Sequence, residues 1–141
     1  MTRKKLDALY PLDEKQPEKL LTRSGRPFAA LSFEAVADGT LDQGEFAITA
    51  KALHLQAEVA RAAGRESVAR NFERAAELVD IPQETVMEIY EWLRPGRLAS
   101  EAALREKADF LRREYGAERI AAMLEEAAAV YERRGLFRPR Y

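Results

Sequence analysis

Thr49-Ala50-Lys51-Ala52-Leu53-His54-Leu55-Gln56-Ala57-Glu58-Val59-Ala60-Arg61-Ala62-Ala63-Gly64 is the stretch whose reading decides the fold. Thr49 has the side chain of a helix N-cap, a hydroxyl able to accept from a first-turn amide that no helix carbonyl reaches. Leu53, Ala57 and Ala60 then recur at i, i+4 and i+7, one face of a 3.6-residue repeat. Gly64 stands past the end, where the chain turns left-handed and glycine pays no Cβ penalty. The spacing predicts a helix running from the Thr49 cap to Ala63.

The same pattern continues downstream. A second helix over 66–79 carries Val68, Phe72, Ala75 and Val79, and Asp80 with Pro82 marks a stop and a fresh start. The third presents Val86, Ile89, Tyr90 and Leu93 and ends at Arg94-Pro95-Gly96. Ser100 caps a fourth with Leu104, Ala108, Leu111 and Tyr115, closed by Gly116. A fifth, from Ala117 to Arg134, turns Ile120, Met123, Leu124, Ala127, Val130 and Tyr131 inward. Glu66→Arg70, Glu101→Arg105 and Asp109→Arg113 are acid-first i,i+4 pairs suited to exposed helix faces.

Upstream the texture differs. Pro11, Pro17, Gly25, Pro27, Gly39 and Gly44 break the chain into short pieces. Tyr10-Pro11-Leu12 reads as extended, and Ser32 as the cap of a short helix over Phe33–Ala37 ahead of Gly39. The expected organisation is a turn-rich arm over residues 1–45, laid on a neighbouring surface, and a helical region over 46–141, together one domain. No segment alternates like a strand. The fold class is all-α, a compact bundle of about five helices behind an irregular N-terminal segment.

Composition sets bounds on function. The 141 residues are 47% apolar and 33% charged, a globular mix. Lys+Arg number 23 against 24 Asp+Glu, a net charge of -1 that argues against phosphate or nucleic-acid partners. With no cysteine, disulfides, thiol catalysis and Cys-based zinc sites are ruled out. No apolar run approaches the roughly 18 residues of a membrane span, and the basic start Arg3-Lys4-Lys5 leads into no signal-peptide core. A cytoplasmic location is expected.

Candidate sites are sparse. His54, the only histidine, shares a helix face with Glu58, but carboxylate-bridged metal sites in bundles draw on Glu-x-x-His motifs from two helices. Position 51 is lysine and no second histidine exists, so an interface or surface role outweighs a metal site. Glu84, Glu88 and Glu91, like Glu125-Glu126, read as solvated faces rather than an acid–base pair. There is no Gly-rich phosphate cradle, no nucleophile elbow and no Asp-x-His cobalt motif. A helix-turn-helix reading of the hairpin around Gly64 fails on the mixed charge of its second helix. Gln56 and Asn71, polar and interior to their helices, serve either interhelical register or a partner. The tail Arg133-Arg134-Gly135-Leu136-Phe137-Arg138-Pro139-Arg140-Tyr141 mixes Arg and aromatic residues as interface anchors do, or is a frayed terminus.

The run Leu53-x-x-Gln56-Ala57-x-x-Ala60-x-x-Ala63-Gly64-Arg65, followed by Asn71-Phe72-x-Arg74-Ala75-Ala76-Glu77-Leu78, resembles the small (gamma) subunit of diol and glycerol dehydratases. So do Pro82, Ile89-Tyr90 and Leu93-Arg94-Pro95-x-Arg97. The likeness reaches upstream through Tyr10-Pro11-Leu12, Pro17-Glu18, Thr22, Gly25 and Ile48-Thr49. Downstream it takes in Tyr115, Ala117, Glu126-Ala127-Ala128, Tyr131 and Arg133. Gln16 departs from the histidine frequent before the Pro-Glu pair, and Gly96-Arg97-Leu98-Ala99-Ser100 from the usual turn.

The resemblance implies a non-catalytic subunit of a hydro-lyase, converting a 1,2-diol or glycerol to an aldehyde and water by a radical mechanism. It implies large and medium subunits as partners, in a dimer of heterotrimers, with adenosylcobalamin bound by those subunits and none by this chain. It gives this chain no catalytic, cofactor-binding or metal residue. With nine residues before Tyr10, the resemblance reads as a free cytosolic form near the glycerol-dehydratase type. The expected partner contacts are Tyr10, Pro11, Leu12, Gln56, Arg65, Asn71, Arg74, Arg94 and Arg97, since the Arg fork is the favoured interface cation. The rival reading is a free-standing helical adaptor with no enzyme attached.

Overall fold

A computed structural model describes residues 3–137. Among them the regular structure is helical throughout, with a single isolated bridge between Leu21 and Pro27. The all-α class holds. The chain divides into two compact units, Met1–Val79 and Asp80–Tyr141.

In the first unit, α1 (Arg3–Asp7), α2 (Leu12–Lys15) and α3 (Phe33–Ala37) alternate with 3-10 turns at Pro17–Lys19, Phe28–Ala30 and Gln43–Phe46. Two long helices follow, α4 (Ala50–Ala62) and α5 (Glu66–Leu78). Thr49 caps α4, its Oγ1 accepting from the Ala52 amide at 3.1 Å, and Ser32 caps α3 through Ala35 at 3.2 Å. Gly64 (φ +74) makes the tight reversal between α4 and α5. Leu12 is not part of an extended run; it opens α2, with Pro11 as an extended N-cap residue that needs no amide of its own.

Two apolar clusters hold this unit. Ala57 and Ala60 of α4 meet Ala69 of α5, with Phe72 packed at the edge. Methyl-sized side chains let the two helices come close. Leu55 and Val59, elsewhere on α4, bury Leu9 and Leu12 of the arm, with Leu6 and Leu20 beside them. The arm therefore shares a core with α4.

The buried face of α5 differs from the face the apolar pattern picks out. Ala69, Glu73 and Ala76 are buried, whereas Val68 is exposed and Ala75 and Val79 are half-buried. The reason is visible at Glu73, only 7% exposed, whose carboxylate accepts from Arg61 Nη2 of α4 at 2.6 Å. That ion pair and the small alanines set the rotation of α5. Arg61 also engages Glu66 through Nε at 3.2 Å, so Glu66 pairs with Arg61 rather than with Arg70.

The second unit contains α6 (Gln83–Trp92), α7 (Glu101–Tyr115) and α8 (Glu118–Arg133). Ser100 caps α7 through the Ala103 amide at 3.2 Å. The interior is formed by Leu104, Ala108 and Leu111 of α7 with Ile120, Ala121, Leu124 and Ala128 of α8. On α6 Ile89 is the buried residue, while Tyr90, one position further round the helix, points to solvent. Trp92, Phe110 and Tyr115 stack edge-on in a row, with centroids 6.3 and 5.9 Å apart, and Lys107 caps the Trp92 ring at 4.9 Å. Tyr131 donates its hydroxyl to the Leu93 carbonyl at 2.6 Å, tying α8 to the end of α6.

Charge pairing here is interhelical as much as local. Glu101 and Arg105 pair at 2.6 Å as their spacing predicts. Asp109 meets Arg112, not Arg113, while Arg113 turns to Glu114. Arg112 faces α8 and grips both oxygens of Glu125 at 2.6 and 2.8 Å, with Glu118 on its Nε. Glu125 is thus one half of a fork, not part of a solvated acidic face. Arg112 holds the Glu125 carboxyl below its ordinary 4.5. A depressed folded-state value contributes stability that is fully present above 4.5 and is lost as pH falls through the depressed one. Glu125→Gln should therefore lower the melting temperature modestly at neutral pH, both groups being partly wet, and the gap to wild type should close on acidification. Thermal melts at pH 7 and in acid check this; a gap that widens in acid refutes it.

Gly116 occupies the left-handed position after α7 (φ +62), its amide donating to the Arg112 carbonyl at 3.0 Å. A Cβ there would meet nothing within 4 Å, so the cost of Gly116→Ala is backbone alone. Roughly 1–2 kcal/mol is expected, less for Gly116→Asn, measured by urea titration.

Candidate partner-binding surface

The arm of the first unit leaves more apolar surface in water than its own core can absorb. Among the described residues, seven of the ten large apolar side chains left exposed lie before Thr49: Tyr10, Leu21, Phe28, Phe33, Val36, Phe46 and Ile48. Tyr10 is 61% exposed and Phe33 83%. Apolar exposure gathered in one region on this scale marks an interaction site more often than a free surface.

Five of these line one groove of about 500 Å³, between the arm and the start of α4. Pro11, Leu31 and Ala47 also line it, and Phe46, Ala47 and Ile48 lead in sequence to the Thr49 cap. Gln56 looks in from α4, two turns further on. The wall is braced by polar contacts around Thr22, which is buried. Its amide donates to the Arg26 carbonyl at 2.8 Å, and its Oγ1 accepts from the Arg26 amide at 3.1 Å. Ser24 donates to Glu45 at 2.9 Å. Hydrogen bonding by Thr22 and Ser24, in that order, draws the Glu45 carboxyl below its ordinary value, keeping it anionic. Among the described residues Glu45 and Asp13 are the only charged groups lining the groove, and both are acidic.

Four of the residues singled out from sequence meet here: Tyr10, Pro11, Leu12 and Gln56. Leu12 does double service, since most of its side chain is buried with Leu9, Leu55 and Val59. The others lie apart. Arg65 is exposed in the α4–α5 turn, and Arg74 donates to Asn71 along α5. In the second unit Arg94 and Arg97 both pair with Glu91, at 2.9 and 3.2 Å. Phe28, Glu45 and Phe46 escaped the sequence reading, and Ile48 entered it only through the family likeness. Their signal is faint, because apolar residues in turns follow no period; the one cue is Phe46-Ala47-Ile48, three apolar residues before a helix cap. Of the C-terminal tail, Phe137 packs edge-on against Tyr131 at 5.9 Å, while Arg138, Pro139, Arg140 and Tyr141 lie outside the described residues.

The described residues form no multidentate donor set for a metal ion. His54 and Glu58 are exposed one turn apart on α4, and among the described residues no three His, Cys, Asp or Glu gather in a cluster. Nor is any helix of the described residues long and apolar enough to cross a membrane.

Residues 6–138 match the dehydratase small subunit family. The chain belongs to that family. The dehydratase small-subunit assignment is matched by relatives at substantial identity. The propanediol dehydratase small subunit of Citrobacter freundii is 41% identical over 125 residues, covering 89% of this chain and 72% of the relative. The protein of the same name from Salmonella typhimurium is 40% identical over the same shares. A dehydratase small subunit works in a hetero-oligomer and is the non-catalytic part of a hydro-lyase, which sets the free-standing adaptor aside.

Proposed function

We propose that this chain is the small subunit of an adenosylcobalamin-dependent diol or glycerol dehydratase, packing on and stabilising the large catalytic subunit. The observation that carries the reading is the family match over nearly the whole chain, joined to two propanediol dehydratase relatives. The apolar arm supports it, because a chain that leaves Tyr10, Phe28, Phe46 and Ile48 in water has surface to give to a partner. In this reading residues 1–45 are the docking arm and 46–141 the helical scaffold. Arg65, Asn71, Arg74, Arg94 and Arg97 supply polar rim contacts, and the partners are large and medium subunits in a cytoplasmic dimer of heterotrimers. The cofactor belongs to those subunits, and this chain adds no group to its chemistry.

Co-expression with the cognate large and medium subunits tests the proposal. The chain is expected to co-purify with them at fixed stoichiometry, and its omission to lower the yield of soluble, active dehydratase. Purification as a separate species, with diol turnover by the other subunits unchanged, would refute it.

A further inference from the structure

The groove beside Thr49 has a chemistry that specifies its occupant. Its walls are apolar, its lining charges are Glu45 and Asp13, and among the described residues no basic side chain lines it. Arg26, whose charge also reaches Glu45, is turned to the Thr40 carbonyl at 3.2 Å. We propose that the groove seats an apolar segment of the large subunit carrying a basic side chain opposite Glu45 and Asp13. The inference rests on the function proposed above and adds the place and the chemistry of the contact.

Two observations favour a protein segment over a small ligand. Small-molecule pockets enclose most of their ligand. Here Tyr10, Phe28, Phe46 and Ile48 are each more than half exposed, so a small molecule would leave the walls wet. Phe33 and Val36, outside the groove, are exposed on the same arm and need covering as well. A broad protein surface covers both, and its basic residue meets two acids otherwise left facing an apolar partner. Desolvating Glu45 against an uncharged surface would be unfavourable, because the carboxylate would lose water without gaining a countercharge.

The test uses the full chain with tagged cognate large subunit and the medium subunit, and reads the small chain retained on the tag at low and high salt. Ile48→Asp and Phe28→Asp alter exposed residues, and circular dichroism confirms that each variant keeps its helices. Both should reduce retention roughly tenfold or more, as loss of a central apolar anchor does. Glu45→Lys should reduce it comparably and Glu45→Gln less, with the salt dependence of retention weakened in Glu45→Gln. Failure of the wild-type chain to be retained would overturn the proposed function itself. Retention of the wild type together with folded Ile48→Asp and Phe28→Asp would overturn the groove alone. Loss in those two with Glu45→Lys unaffected would overturn the basic segment as occupant.

Discussion

Leu104→Ala should cost the second unit roughly 2–5 kcal/mol, the range for emptying a fully buried leucine site. Leu104 is 0% exposed on α7, whose inward stripe also holds Ala108 and Leu111, both equally closed to solvent. Three further side chains of this unit closed to solvent, Ala108, Ala121 and Ala128, are alanines, so little flexible side-chain volume is available to relax into the cavity. The loss should sit toward the upper part of the range. A unit of this length has a total stability on the order of 3–9 kcal/mol, so one substitution removes much of it. Urea denaturation followed by circular dichroism is the measurement, with Leu104→Met, expected to lose less than about 1.5 kcal/mol, as the volume-conserving control. A loss below about 1 kcal/mol for Leu104→Ala would mean that the α7–α8 interior is not closed around this residue.

The legibility of that interior in sequence has a physical basis. On α7 the buried residues Leu104, Ala108 and Leu111 fall on the one stripe that the spacing marks, with Phe110 half-buried beside it. Caps were equally readable: the hydroxyls of Ser32, Thr49 and Ser100 act within three residues, so local sequence contains both partners. Ion pairs were not. An i,i+4 rule finds Glu101–Arg105, but Arg61–Glu73 and Arg112–Glu125 span different helices and exist only once the hairpins close. The candidate surface divides the same way. Tyr10, Pro11, Leu12, Ile48 and Gln56 were marked by family likeness, whereas Phe28 and Phe46 belong to turns, where no periodicity tells an inward side chain from an outward one.

Neighbouring positions on α5 turn this contrast into an experiment. Ranking by hydrophobicity puts Val68 inside and gives Ala69 no part in the contact; the structure has Val68 38% exposed and Ala69 0%. Val68→Ala should therefore change stability by no more than about 0.5 kcal/mol, alanine's better helix propensity offsetting the small area lost. Ala69→Leu should destabilise by roughly 1–3 kcal/mol, because the added carbons must enter the space where Ala57 and Ala60 already touch it. The short turn around Gly64 keeps the helices from parting at that end, so strain passes along α4. Leu55 and Val59 of α4 hold Leu9 and Leu12, so a displaced α4 disturbs the base of the groove. Ala69→Leu should thus lower both the melting temperature and the retention read in the assay of the proposed large-subunit contact, and Val68→Ala neither. The opposite ranking of the two variants would place α5 about one residue round its axis from the position described, and would remove the close alanine contact as the reason α4 stands where it can support the arm.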